Sequence, residues 1–261
     1  MAWDDDLFSR IGDSYDLVFA AEVAQTATQA DFAARTLALR PGQRLLDLCC
    51  GPGRHAVALA LRGVSVTGVE RDARLIALAR ERARARGVEV QWVQGDARHL
   101  PRLRPFHAAI CLFSSWGYAE DPAENEAVLC GVAQRLAPGG RFLIDVPNLL
   151  WLQAHPRGDH FSIAGGVGVH EVRRFDADRR ELAARWHIHQ PGRPAWRAHV
   201  QYRVYGLADL EWLLARAGLV LEAAFGDFAG GPLSGDGPRC LALARRPVLP
   251  LRRLDGAGPR G

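Results

Sequence analysis

The sequence predicts an α/β fold: a doubly wound, mostly parallel sheet of seven strands with an antiparallel β insertion after the fifth. Three observations predict it. Apolar runs of strand length alternate with helical patterns between residues 44 and 146, the order that winds a parallel sheet with helices on both faces. The first run passes through a glycine turn straight into a helical pattern, RLLDLCCGPG followed by RHAVALALRG. In α/β proteins this is where backbone comes close to a ligand. Between 148 and 205 the helical period gives way to alternating segments separated by Pro and Gly, which marks antiparallel strands.

Each element has its own reason. Residues 1–40 read as an N-terminal helical cap, with Phe8, Ile11, Tyr15, Val18 and Phe19 near a 3–4 spacing; Pro41-Gly42 ends it. LLDLCC is the first strand, and 54–62 a helix closed by Gly63. VSVTGVE (64–70) is the second strand. Asp72 caps a helix that runs to Arg86, with Gly87 just past its end. VEVQWVQG (88–95) alternates as a third strand. HAAICLF (107–113) is continuously apolar, as a strand buried on both faces requires. Residues 121–136 form a helix stopped by Pro138-Gly139-Gly140, and RFLIDV (141–146) is the fifth strand. The insertion, 148–205, holds three alternating segments: VGVHEVRRFD, ELAARWHIHQ and AWRAHVQYRVY. A helix over 207–217 and strands over 219–226 and 239–245 return to the first pattern. Residues 41–147 and 206–246 thus form the ligand-binding core. The tail, 247–261, is rich in Pro, Gly and Arg and is expected to be disordered.

Composition narrows the chemistry. All 33 basic residues are arginine, which excludes a lysine Schiff base or a lysine general base. No apolar run approaches the roughly 18 residues that span a bilayer. The N-terminus is acidic and lacks the apolar core of a signal peptide. A cytoplasmic protein with no membrane partner is the expectation. Five cysteines at unsuitable spacings argue against a disulfide framework and against a metal site. The net charge is +4, and nine arginines lie between Arg71 and Arg104. Such a stretch can meet nucleic-acid phosphate, although a solvated helix face is the commoner outcome.

Asp47, Cys49, Gly51 and Gly53 have the spacing of an acidic-x-G-x-G-x-G turn. Glu70 closes the second strand, Gly95-Asp96-Ala97 follow the third, and LAPGGRFLID (136–145) leads into the fifth. In this order the set resembles class I S-adenosylmethionine-dependent methyltransferases. FSSWGY (113–118), at the end of the fourth strand, is similar to bacterial small-molecule members, including sugar-amine N-methyltransferases. The resemblance implies a Rossmann-like methyltransferase fold with an antiparallel last strand. It implies S-adenosyl-L-methionine as cofactor, S-adenosyl-L-homocysteine as product, no metal, and in-line transfer of a methyl group to a small-molecule acceptor. It puts Asp47, Cys49, Gly51 and Gly53 at the methionine end and Glu70 at the ribose. Asp96 and Ala97, flanked by Arg71, fall at the adenine, and Leu112 and Phe113 on the cofactor floor.

Cys49 replaces the first glycine of the motif. As a small-residue exchange it is expected where the backbone needs no conformation reserved for glycine. Tyr118 and Tyr15 are the candidate catalytic residues, the first to orient the acceptor and the second to close over the cofactor. Ser115, Trp116, His170 and Tyr202 are candidate acceptor contacts, with the insertion covering that site. His187 and His189 share one face of their strand by alternation. Two other readings stand beside the first: a tRNA or rRNA methyltransferase using the arginine-rich stretch, and a cofactor-binding regulatory protein without turnover. A monomer is expected, or a homodimer formed through the exposed strand edges of the insertion.

Overall fold

The computed structural model describes residues 3–248; most of the tail expected to be disordered lies outside the described residues. Four helical segments open the chain: α1 (Trp3–Ile11), α2 (Tyr15–Val18), α3 (Ala20–Ala24) and α4 (Thr26–Thr36). Strands and helices then alternate through β1 (Arg44–Leu48), α5 (Arg54–Ala60), β2 (Ser65–Glu70), α6 (Ala73–Ala85) and β3 (Gln91–Gln94). They continue through β4 (Phe106–Cys111), α7 (Pro122–Arg135) and β5 (Leu136–Pro147). After α8 (Leu149–Ala154) come β6 (Arg157–Ala164), β7 (Val167–Asp176), β8 (Glu181–His189) and β9 (Trp196–Arg203). The chain returns through α9 (Leu207–Arg216) to β10 (Val220–Phe225) and β11 (Arg239–Arg245).

Among the described residues one sheet has seven strands in the order β10-β11-β5-β4-β1-β2-β3 and a second has four, β6-β7-β8-β9. β1 runs parallel to β2 and β4, while β11 is antiparallel to both β5 and β10. The fold class is the one the sequence predicts, and the antiparallel last strand is the one the family resemblance implies. Local chemistry places the boundaries. Asp72 and Asp121 cap α6 and α7, their carboxylates accepting the Arg74 and Ala123 amides at 2.8 and 2.9 Å. Val88 does not enter β3, because its amide turns back to the Ala83 carbonyl (3.1 Å) and closes α6. β5 begins at Leu136 rather than after the glycines, since Leu136 already pairs with Phe106 across a register shift.

The insertion has four strands, not three. β6 reads faintly because its apolar residues, Phe161 and Ile163, point to solvent, 63% and 68% exposed. Its sheet is amphipathic. Val167, Val169, Ala184, Ile188 and Val200 form one face and pack against Leu7, Ile11, Tyr15, Val18 and Phe19 of the first helices. α4 belongs elsewhere. Its Ala30, Phe32 and Ala33 join Leu45, Val66 and Ile110 on the large sheet, so the part of residues 1–40 that covers the insertion ends with α3.

One close approach fixes the glycine turn. At Gly53, φ is +75°, and an added Cβ would stand 2.5 Å from the Trp92 ring and 2.9 Å from the Ala79 methyl. Both the left-handed backbone and the space demand glycine. Gly53→Ala is expected to lower unfolding stability by about 2–3 kcal/mol, measured by denaturant titration; a change within about 0.5 kcal/mol would show that Trp92 gives way freely.

Candidate functional site

The carboxyl ends of the parallel strands, with Phe8 and Tyr15 of the first helices and Glu124, Asn125 and Val128 of α7, line a cavity of about 480 Å³; no residue of the insertion, expected to cover the acceptor site, is among its walls. Its floor is the glycine turn after β1. The Gly51 amide donates to Glu70 Oε2 at 3.0 Å, and the Arg71 and Asp72 amides donate to Oε1 at 2.8 and 3.0 Å. Glu70, at the end of β2, therefore ties the turn to the start of α6. Burial raises its pKa, against the Asp72, Gly51 and Arg71 amides that favour the anion. The Tyr15 phenol stands over the turn: a Cβ on Gly51 would lie 3.6 Å from its hydroxyl.

Position 49 corrects the expectation from sequence. Cys49 has φ +52°, in the region that favours glycine, so the exchange is made at a strained backbone position and not at a permissive one. Its thiol lies on the cavity wall and beside Cys111, whose sulfur and the surrounding burial raise its pKa. Two further non-glycine residues at the end of β4, Phe113 (φ +65°) and Ser114 (φ +51°), share this backbone. Strain of about 1–2 kcal/mol per residue thus gathers at the two strand ends that face the cavity, and binding sites are where such strain is found.

Asp145 holds the second strained turn. It is fully buried at the end of β5, and its Oδ2 accepts the Phe113 amide (2.9 Å) and Arg239 Nη1 (2.7 Å). Its Oδ1 is buried without a partner among the described residues. Burial raises the carboxyl pKa, and the Arg239 guanidinium opposes the rise. The rest of FSSWGY is pinned from α7. Asn125 donates to the Ala119 carbonyl and to the Tyr205 hydroxyl, both at 3.1 Å, while its own carbonyl accepts Trp116 Nε1 at 2.9 Å.

Behind the glycine turn lies a buried charge network. Arg54, the first residue of α5, donates through Nη1 to the Glu22 carbonyl (3.0 Å), Thr26 Oγ1 (3.0 Å) and Gln29 Oε1 (2.6 Å). It thereby ties α3 and α4 to the turn. Asp47 is 2% exposed, its Oδ2 has no partner among the described residues, and burial pushes its pKa up to about 7 despite Arg54 and the Ala56 amide. At the far end of the cavity Asp96 is paired with Arg98 at 2.6 Å, and Arg98 reaches Glu124 at 2.8 Å. This guanidinium holds the Asp96 carboxyl below the usual carboxylate range.

The structure brings Tyr15, Cys49, Gly51, Glu70, Arg71, Asp96 and Ala97 to one cavity, and with them Phe113, Ser115, Trp116 and Tyr118. Asp47, Gly53 and Leu112 lie outside its walls. Asp47 is packed behind the turn, and Gly53 is closed off by Trp92. Tyr202 stands one layer back, its ring 5.2 Å from that of Tyr118. His170, expected as an acceptor contact, does not line this cavity. It is on the outer face of the insertion sheet, where it bonds Asp159 at 2.8 Å and pairs in register with His187. Alternation gave the shared face of His187 and His189 but not which face packs. Sequence reasoning passed over Arg54, Asp145, Arg239 and Asn125. Two had a signal: Arg54 follows the glycine turn directly, and Asp145 ends the LAPGGRFLID segment.

Residues 45–140 match a family model described as a methyltransferase domain. Demethylmenaquinone methyltransferase of Thermus thermophilus is 32% identical over 145 residues, 53% of this chain and 63% of that protein. Across the first curated relatives the chain spans 36% to 63% of their length. A solved S-adenosylmethionine-dependent methyltransferase of Clostridium acetobutylicum superposes with a TM-score of 0.78 at 18% identity, covering 92% of this chain and 99% of that one. A SAM-bound amino pentose methyltransferase of Micromonospora echinaspora superposes at 0.63 with 26% identity, covering 84% and 89%. Among the described residues, no helix is long and apolar enough to cross a membrane.

Proposed function

We propose that the chain, whose residues 45–140 match a methyltransferase domain, is a class I methyltransferase that transfers a methyl group from S-adenosyl-L-methionine to a small-molecule acceptor. The observation that carries this reading is one continuous cavity. It joins Glu70 and Asp96 at one end to Phe113 and Ser115–Tyr118 at the other, beneath Phe8 and Tyr15. Its volume, about 480 Å³, suits small molecules. The residues fit the cofactor: a glycine turn without side chains at Gly51, and a carboxylate at each of the two strand ends beyond it.

In this reading Glu70 holds the ribose, Asp96 and Ala97 the adenine, and the backbone from Cys49 to Gly51 the methionine end. Bound cofactor supplies a sulfonium-activated methyl group. The protein's own work is orientation and exclusion of water. Tyr118 orients the acceptor, with Tyr202 packed behind it. Phe8 and Tyr15 close the opening. Burial keeps the Tyr15 phenol protonated, so it acts as a hydrogen-bond donor and not as a base. The amino pentose methyltransferase among the structural neighbours supports a small acceptor bearing an amine.

Calorimetric titration tests the cofactor. Saturable binding of S-adenosyl-L-methionine is expected, weakened about tenfold or more by Glu70→Ala. Wild-type protein that does not bind, or a variant that binds equally well, overturns the assignment. Incubation with labelled cofactor and fractionated extract, followed by mass analysis of the labelled product, then identifies the acceptor.

A further inference from the structure

The outer face of the insertion sheet carries exposed rings and arginines side by side. Strand parity sends Val169, Ala184, Ile188 and Val200 inward, and the alternate residues outward. A row of planar groups crosses all four strands in register: Phe161 pairs with His170, His170 with His187, and His187 with Arg197. The Phe161 and His170 rings are 6.4 Å apart and the His170 and His187 rings 6.0 Å. Beside this row the next register places Arg185 and His199 as partners, and the one beyond it Arg157 and Arg174. Arg157, Arg174, Arg185 and Arg197 are exposed, and none has a carboxylate partner among the described residues. The carboxylate of Asp159 is taken by His170. Phe161, at 63% exposure, is a large ring left in water.

We propose that this face docks single-stranded nucleic acid, apart from the methyl-transfer cavity on the other side of the sheet. Bases stack on the Phe161–His170–His187 row, and the four guanidiniums take phosphates. Exposed aromatic rings interleaved with arginines are what unstacked bases on a charged backbone require. Charge alone would suit any polyanion; the ring row selects for bases. Pairing of this face with a second copy of itself would set arginine against arginine, which disfavours the homodimer.

The test is fluorescence anisotropy of labelled oligouridylate and oligoadenylate with the full chain across a salt series, with inorganic polyphosphate as competitor. Anionic phosphatidylglycerol vesicles and sedimentation of the free protein complete it. The expected result is oligonucleotide binding that polyphosphate of equal charge displaces poorly. Arg185→Gln with Arg197→Gln should lower the slope of log affinity against log salt by about 1.4, at about 0.7 per phosphate contact. Phe161→Ala with His170→Ala should weaken binding about tenfold and leave that slope unchanged. All four positions are on the surface, and an unchanged unfolding midpoint confirms the fold of each variant. Absent binding, full displacement by polyphosphate, or ring variants that bind like wild type would overturn the proposal. So would binding to vesicles in place of oligonucleotide, or a dimer abolished by the arginine substitutions.

Discussion

Arg239→Ala is expected to lower unfolding stability by about 3 kcal/mol or more at pH 8. Arg239 neutralises Asp145, which is wholly buried and also holds the Phe113 amide. Removing the guanidinium leaves a carboxylate with one backbone donor and no opposing charge within bonding reach. Its pKa, already raised by burial, rises further. A carboxyl whose folded pKa exceeds its unfolded one loses stability as pH rises through the folded value. The deficit of the variant should therefore be larger at pH 8 than at pH 5. Asp145→Asn in the same background should recover much of it, because the amide oxygen still accepts the Phe113 N–H. Denaturant titrations of the three proteins at both pH values measure this. An equal loss at pH 5 and pH 8 would assign the effect to lost packing of Arg239 on Phe228, whose ring lies 5.6 Å from the guanidinium carbon.

Asp47→Asn should have the opposite sign at high pH. The folded pKa of Asp47 is about 7 against an ordinary 3.8, raised chiefly by burial. Its contribution is fully present below about pH 4 and is lost as pH rises to about 7, by at most about 4 kcal/mol. Asparagine removes that dependence. The variant should be more stable than wild type at pH 8 and show no such advantage at pH 5. Stability profiles that run parallel between pH 5 and pH 8 would sink the assignment. Such a trade, stability given up at neutral pH for a charge behind the turn, is common at functional sites.

The seven-stranded sheet was legible because apolar or alternating runs of strand length alternate with helical patterns bounded by caps, glycines and prolines. The glycine turn, Glu70 and Asp96 were legible because strand ends are fixed by the same pattern. The fourth insertion strand was not, since β6 sets its two large apolar residues, Phe161 and Ile163, on the face turned to water, beside Arg157 and Asp159. The face of His170 was not, since parity says which residues go together and only packing says which way. Arg54 and Asp145 were hidden for another reason: their partners, Gln29 and Arg239, are remote in sequence. The backbone of Cys49 ran against the rule from sequence, because a neighbouring charge network can hold a conformation that the residue itself disfavours.

The insertion also sets an order of assembly. β6 to β9 pair only with their chain neighbours through short turns, contacts that form quickly. β5 pairs with β4 before it in the chain but gains its second neighbour only with β11, where Pro147 meets Arg239. As the chain emerges from synthesis the insertion sheet can therefore pair before β5 has both of its neighbours. The Asp145–Arg239 pair needs the last strand of the sheet, so the carboxylate that holds the Phe113 amide at the cavity wall is neutralised only by the C-terminal end of the fold.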